Sequence, residues 1–138
     1  MQLNYWAILL ATVLDFIVGA VWYSALFGKL WGKIHGFDKL PKAEQQKLMK
    51  SMGPFYALQA LVTLITVIVL AIFLAYQPTW NAYAMTGFFW IGFVVPTQVS
   101  AVIFSNTERK WMFTKVAIQA GASLVCLEVA AAVLHAFA

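Results

Sequence analysis

Hydrophobic residues fill four long stretches of the chain, and polar residues collect in the segments between them. A helix needs about 20 mostly apolar residues to cross the roughly 30 Å hydrocarbon core of a bilayer. Each stretch is long enough, and they cover residues 3–27, 54–76, 83–104 and 112–137. The pattern therefore predicts an all-α integral membrane protein, a four-helix transmembrane bundle that forms a single domain over residues 1–138.

The connecting segments carry residues that typically begin helices. Pro54 opens the second span, where its missing N–H costs no hydrogen bond. A short turn over residues 77–81 joins the second and third spans. Ser105 and Glu108 have the spacing of a capping box, which predicts a helix cap at the start of the fourth span. The spans are therefore joined by two tight hairpins and one longer loop, residues 28–53.

The longer loop has a helical pattern of its own. Apolar residues recur in it at helical spacing, with lysines between them: Phe27, Leu30, Trp31, Ile34 and Phe37. This predicts that the first helix runs out into the membrane interface, and a weaker pattern predicts a second short interfacial helix over residues 41–52. The loop either only sets the topology or binds a lipid or a partner. The candidate lipid-contacting residues are Lys29, Lys33, Lys39, Arg109 and Lys110.

Composition and charge agree with this class. The chain is 63% apolar and 10% charged, against about 45–50% and about 25% in soluble domains, which excludes an ordinary soluble enzyme. All nine Lys and Arg residues lie in the first loop or near the turn before span four. The positive-inside rule places these segments in the cytoplasm and both termini outside. The net charge of +4 thus reflects the topology of the protein. It indicates anionic lipid headgroups as partners and gives no case for nucleic acid.

Two acidic residues lie inside the spans. Asp15 is near the middle of the first, where a carboxylate costs about 2.5–3.5 kcal/mol. Ala7, Ala11 and Gly19 share its helix face, so Asp15 is expected to point into a helix interface. Glu128 lies among similarly small residues in span four. No Lys or Arg is deep enough to pair with either acid, which favours proton or cation handling. The alternative is a protonated acid that hydrogen-bonds a neighbouring helix.

Other polar and helix-breaking residues add candidates. Gln59, Gln98 and Gln119 lie at similar depths in three spans. They are expected either to lock helices together by hydrogen bonds or to line a small polar cavity. Pro96 removes one backbone hydrogen bond and predicts a kink near Gly92.

Catalytic and metal-binding patterns are missing from the sequence. It has no glycine-rich phosphate loop, no GxSxG and no HExxH motif. A single cysteine gives no basis for a cysteine zinc site. We therefore expect neither enzymatic activity nor a cofactor.

The chain resembles a known family. The opening signature of the DUF1761 family, small bacterial membrane proteins of unknown function, is similar to residues 19–24 (GAVWYS) followed by Phe27, Gly28, Lys29 and Trp31. Its third and fourth helices are similar to residues 90–96 (WIGFVVP), Phe104 and residues 119–121. The resemblance implies a four-helix protein of the bacterial inner membrane and supplies no activity. It also implies that certain residues act together, as a structural corner or a cytoplasmic gate: Trp22, Tyr23, Phe27, Gly28 and Trp31.

Two functional hypotheses remain open. In the first, the protein is a small transporter or channel for protons, a cation or a small solute. Asp15 would bind the proton or cation, and Pro96 would let span three bend. The path would be lined or gated by Glu128, Gln59, Gln98 and Gln119. In the second, it is a scaffold, accessory or lipid-interacting protein that works through its basic loop. A homo-oligomer is expected in both, with parallel subunits because the charge bias leaves little freedom to invert. Water beside Asp15 would favour transport, and a sealed Asp15 would argue against it.

Overall fold

The computed structural model describes residues 2–138. Four of its helices are long and apolar enough to cross a membrane, and we call them spans 1 to 4: Tyr5–Leu26, Gly53–Tyr76, Ala82–Ile103 and Arg109–Ala136. Every bound lies within three residues of the sequence prediction. No strand occurs in the described part of the chain, so the predicted all-α four-span fold is confirmed.

Residues 2–138 form seven α-helices, of which α2 and α3 lie in the first loop and the others build the spans. In chain order these are α1 Tyr5–Val21, α2 Gly28–Ile34, α3 Lys42–Ser51, α4 Gly53–Tyr76, α5 Ala82–Phe89, α6 Val95–Ile103 and α7 Arg109–Ala136. One π-helical turn, Trp22–Leu26, extends α1, and a second, Trp90–Val94, joins α5 to α6. Spans 2 and 4 are uninterrupted α-helices, whereas spans 1 and 3 each contain a π-helical turn.

Asparagine side chains cap two of the spans. The Asn4 side chain accepts from the Ala7 N–H at 3.1 Å, and the Asn81 side chain accepts from the Ala84 N–H at 3.0 Å. Each bond satisfies one of the amide groups that a helix leaves unpaired at its N-terminus. Local sequence therefore sets where spans 1 and 3 begin.

The predicted capping box at span 4 is wrong. Helix α7 begins at Arg109, and the residue before it, Glu108, makes no side-chain capping bond. The Ser105 hydroxyl instead donates to the carbonyl of Val102 at 2.8 Å and lies 2.7 Å from the Thr107 hydroxyl. Because this serine satisfies a carbonyl at the end of span 3, it does not cap the next helix.

Span 4 is the central helix of the bundle. It packs against spans 1 and 3, and span 1 packs against span 2 on its other side. Asn4 Nδ2 donates to the Phe137 carbonyl at 3.1 Å, and Trp22 Nε1 donates to the Ile118 carbonyl at 2.9 Å. These bonds fix spans 1 and 4 antiparallel at both ends, so the two termini lie at one end of the bundle. The side of the membrane that this end faces stays a prediction.

The tightest packing lies in the half of the bundle nearest the termini. The buried residues there come from all four spans: Ala7, Ile8, Ala11, Val67, Leu70, Ala71, Met85, Ala130 and Leu134. The alanines allow close approach of the helices, which is how helices associate in a solvent as apolar as their own side chains.

The first loop folds into two helices, as predicted, with one difference. Phe27 adopts φ −121° and ends the π-helical turn, so α2 begins as a new helix rather than continuing span 1. Gly36 turns the chain with φ +71°, a conformation that glycine adopts without strain. Gln45 Nε2 then donates to the carbonyls of Phe37 and Leu40 at 3.0 and 3.1 Å. The loop is therefore an ordered layer at the basic end of the bundle.

Candidate functional site: the acids and the aromatic corner around span 4

Asp15 is buried in the interface between spans 1 and 4. It is 5% exposed, and the Cys126 thiol on span 4 lies 3.6 Å from its backbone carbonyl. Its Oδ1 atom has no hydrogen-bond partner among residues 2–138. The only ion pair in that part of the chain joins Lys110 to Glu108 at 3.4 Å on the surface. The prediction that Asp15 points into a helix interface is confirmed, and its carboxyl group has no counter-charge there.

Glu128 faces span 3 instead. Its Oε1 accepts from the Thr86 hydroxyl at 2.9 Å, and Thr86 is fully buried. The same hydroxyl lies 2.9 Å from the Tyr83 carbonyl. Asp15 therefore belongs to the seam with span 1 and Glu128 to the seam with span 3, and no hydrogen bond joins them. Sequence reasoning missed Thr86, because a threonine in an apolar span shows its partner only once the helices are packed.

The three glutamines do not form one layer. Gln98 Nε2 donates to the Ser123 hydroxyl at 2.8 Å and locks span 3 to span 4, while its Oε1 is buried without a partner. Gln59 Nε2 bonds only to Thr63 of its own helix, at 3.3 Å, and its side chain is exposed. No hydrogen bond joins two of these glutamines within residues 2–138. Of the two alternatives, helix locking holds for Gln98. A cavity shared by all three amides does not form, because the Gln59 side chain faces away from the bundle.

Two surface depressions accompany these groups. One, about 270 Å³, lies at the terminal end beside Trp80 and Phe88. The other, about 240 Å³, lies between spans 2 and 3 over Leu127 of span 4. Neither is lined by Asp15 or Glu128.

The family-motif aromatics meet where span 1 leaves the bundle. The Trp22 ring lies 4.9 Å from the Phe27 ring, and the Tyr23 ring lies 4.8 Å from the Trp31 ring, centroid to centroid. A Cβ atom at Gly28 would lie 3.1 Å from the Tyr23 carbonyl oxygen, so glycine permits the close approach of α2 to the π-helical turn. These residues therefore lie together where span 1 meets α2. We name these residues the aromatic corner: Trp22, Tyr23, Phe27, Gly28 and Trp31.

The aromatic corner is fixed to span 4 by Trp22. Its indole N–H donates to the Ile118 carbonyl, and its ring lies so close to Gly121 that a Cβ there would be 2.8 Å from Cζ2. Trp90 makes the matching contact from span 3, since its indole N–H donates to the Ala120 carbonyl at 2.7 Å. Each tryptophan begins a π-helical turn. Such turns are rare and are often found at functional sites.

A π-helical turn, Trp90–Val94, contains Gly92, near which the sequence predicts a kink caused by Pro96. The kink itself stays a prediction. The Val95 N–H reaches back five residues to the Trp90 carbonyl. Pro96, which has no N–H to donate, then lies in the first turn of α6. The wider turn thus accommodates the proline where an α-helix would lose a bond.

The fold and these polar groups define a multi-pass integral membrane protein, and neither intramembrane acid pairs with a cation among residues 2–138. A model of the family described as "Protein of unknown function (DUF1761)" matches residues 6–135. The chain belongs to this family, as the motif resemblance implied. No curated protein and no solved structure matches the chain.

Proposed function

We propose that the protein is a membrane-integral, lipid-interacting accessory protein whose working surface is its basic end. The carrying observation is that all nine Lys and Arg residues lie at one end of the bundle, on α2, the 3-10 turn Phe37–Lys39, α3 and the start of span 4. By the positive-inside rule this end faces the cytoplasm of a bacterial inner membrane, with both termini outside.

The layer is attached to the bundle by Lys115. Its Nζ lies 6.0 Å from the Trp31 ring centroid of α2 and donates to the Thr107 hydroxyl at 3.1 Å. One side chain therefore links α2, span 4 and the turn that precedes it. A cation over an aromatic ring contributes about 0.5–1 kcal/mol at an exposed site. This supports α2 as a fixed surface rather than a free linker.

The remaining cations are available to headgroups. Lys29, Lys33 and Lys39 are exposed, and the only ion pair within residues 2–138 engages Lys110. A basic side chain near an anionic membrane surface contributes about 1 kcal/mol. Several such groups on one rigid layer favour phosphate-bearing anionic lipids over zwitterionic ones.

Neutralising four lysines together (Lys29→Gln, Lys33→Gln, Lys39→Gln and Lys42→Gln) should abolish most of the lipid preference. We expect the parent protein in mixed phosphatidylglycerol and phosphatidylcholine nanodiscs to retain anionic lipid several-fold over its bulk share. The fourfold variant should fall close to that bulk share. Mass spectrometry of the co-purified lipids measures the ratio. The control is Asp15→Asn, which leaves the basic layer intact, and an unchanged ratio in the fourfold variant would contradict the proposal.

Proton or cation transport is the second candidate, and one observation favours it. Asp15 is a buried carboxyl without a counter-charge, with one oxygen that accepts no hydrogen bond within residues 2–138. Intramembrane acids are often functional. For Asp15 to exchange a proton or cation with water, the seam between spans 1 and 4 would have to open. Glu128 and Gln119 belong to span 4, and Gln98 contacts span 4 from span 3. The Gln59 side chain faces away from the bundle.

Flux measurements separate the two candidates. We expect proteoliposomes of the parent protein to pass protons and monovalent cations no faster than protein-free liposomes, because Asp15 is sealed. The isosteric variant Asp15→Asn should behave identically. Flux in the parent that Asp15→Asn lowers tenfold or more, and that the surface control Glu108→Gln retains, would establish transport and displace the lipid-interaction proposal.

A further inference from the structure

Spans 2 and 3 turn polar side chains away from the bundle. Gln59 and Thr66 are exposed on span 2, and Thr97 and Ser100 are exposed on span 3. The threonine hydroxyls bond to carbonyls of their own helices, Val62 and Phe93. Gln59 is different, because its Nε2 bonds only to Thr63 and its Oε1 accepts no hydrogen bond within residues 2–138. An amide oxygen that faces hydrocarbon without a partner is unfavourable.

Thr66 lines a groove between spans 2 and 3, and Gln59 lies two helical turns away on the same side of span 2. The groove, about 240 Å³, has Thr66 and Phe73 on one wall, Phe93 on the other and Leu127 as its floor. The Phe73 and Phe89 rings, 5.1 Å apart, bring the two spans together near its outer end. Helical spacing continues the span 2 wall toward the basic end through Thr63 and Gln59. On span 3 the exposed Thr97 and Ser100 follow Phe93 beyond the π-helical turn. We call the whole surface the span 2/3 face: Gln59, Thr63, Thr66, Phe93, Thr97 and Ser100.

The outer side of span 1 offers a contrast. Its exposed residues at comparable depth are apolar, including Val13, which is 55% exposed, and Ile17, which is 51% exposed. Such a surface suits lipid chains and needs no protein partner. Among residues 2–138, the unpartnered oxygens of Asp15 and Gln98 are buried within the bundle. The unpartnered oxygen of Gln59 instead faces outward, on the side of span 2 next to the groove.

We propose that a second, parallel copy of this chain covers the span 2/3 face. A primary amide carries both donors and an acceptor, so it is complementary to itself. A two-fold axis along the membrane normal brings the same residue of each copy to the same depth, which places two Gln59 amides opposite each other. The nine basic residues at one end require both copies to insert in the same direction. Lipid chains offer the amide no bond, and a different protein would need a matching polar group at that depth.

Cross-linking tests the surface directly. In a Cys126→Ala background, single cysteines are introduced as Thr66→Cys on the span 2/3 face and Val13→Cys on the outer side of span 1. We expect oxidation in membranes to convert Thr66→Cys to a disulfide dimer at least tenfold faster than Val13→Cys. Equal rates would overturn the proposal, as would a faster Val13→Cys.

The amide itself is tested with Gln59→Leu, which makes span 2 more apolar and so does not impair its insertion. Interhelical hydrogen bonds in membranes correspond to about a three- to twentyfold change in association. We expect the dimer dissociation constant in liposomes, from energy transfer at varied protein-to-lipid ratios, to rise by that factor. The control Leu61→Ala, on the opposite side of span 2, should leave it unchanged. A monomeric parent, an unaffected Gln59→Leu dimer, or a different protein held at this face would each overturn the proposal.

Discussion

Replacing Gly121 with alanine is expected to destabilise the bundle by about 1–3 kcal/mol. The added Cβ would lie 2.8 Å from Cζ2 of Trp22, well inside van der Waals contact. The indole is a rigid ring, and its N–H is held by the Ile118 carbonyl at 2.9 Å. Relief of the clash therefore requires either loss of that hydrogen bond or separation of spans 1 and 4. Reversible unfolding in mixed detergent micelles of increasing SDS content measures the change.

Gly19→Ala is the matched control for that experiment. Gly19 lies in span 1, and no neighbouring atom lies within 4 Å of where its Cβ would be. We expect this variant to be neutral or slightly stabilised, because alanine has the higher helix propensity. If both glycine variants unfold at the same SDS content, the contact of Trp22 with Gly121 does not stabilise the fold.

Replacing Thr86 with valine should lower the free energy of unfolding by about 1–2 kcal/mol. Valine preserves the shape of this fully buried side chain but cannot donate to Glu128 Oε1, now 2.9 Å away. The carboxyl oxygen would then be left without that partner between spans 3 and 4. Glu128→Gln retains an acceptor at the same place and should be milder.

Thr12→Val controls for the loss of a hydroxyl alone. The Thr12 hydroxyl donates at 2.8 Å to the Ile8 carbonyl of its own helix and joins no other span. We expect its replacement to change the unfolding free energy little. A double-mutant cycle between Thr86→Val and Glu128→Leu, which removes the acceptor, then isolates the interhelical bond. A coupling energy of zero would show that Thr86 and Glu128 do not interact in the folded protein.

The positions of the spans and of Asp15 follow from the chain alone. Bilayer thickness sets the length of an apolar helix, so hydropathy located all four spans to within three residues. Small residues at intervals of four beside Asp15 indicated a packed face, and the 5% exposure of Asp15 confirmed it. It was also predictable that both termini lie at the same end of the bundle, because four spans return the chain to the side where it began.

The pairing of residues across helices could not be predicted in this way. Trp22 and Trp90 donate to backbone carbonyls of span 4, and a carbonyl has no sequence signature. The capping motif failed because Ser105 bonds back to span 3.

The sequence by itself determined four apolar spans, a basic end and two acids without cationic partners, because each is a property of single residues weighed against membrane depth. Tertiary structure alone decided that the helix packed against Asp15 is span 4, that Glu128 bonds to Thr86, and that Gln59 faces outward. The rotation of each helix about its own axis decides which side chains face a neighbouring helix. In a bilayer it is set by close packing of side chains against a neighbour, since lipid is as apolar as the helices and does not discriminate among their faces.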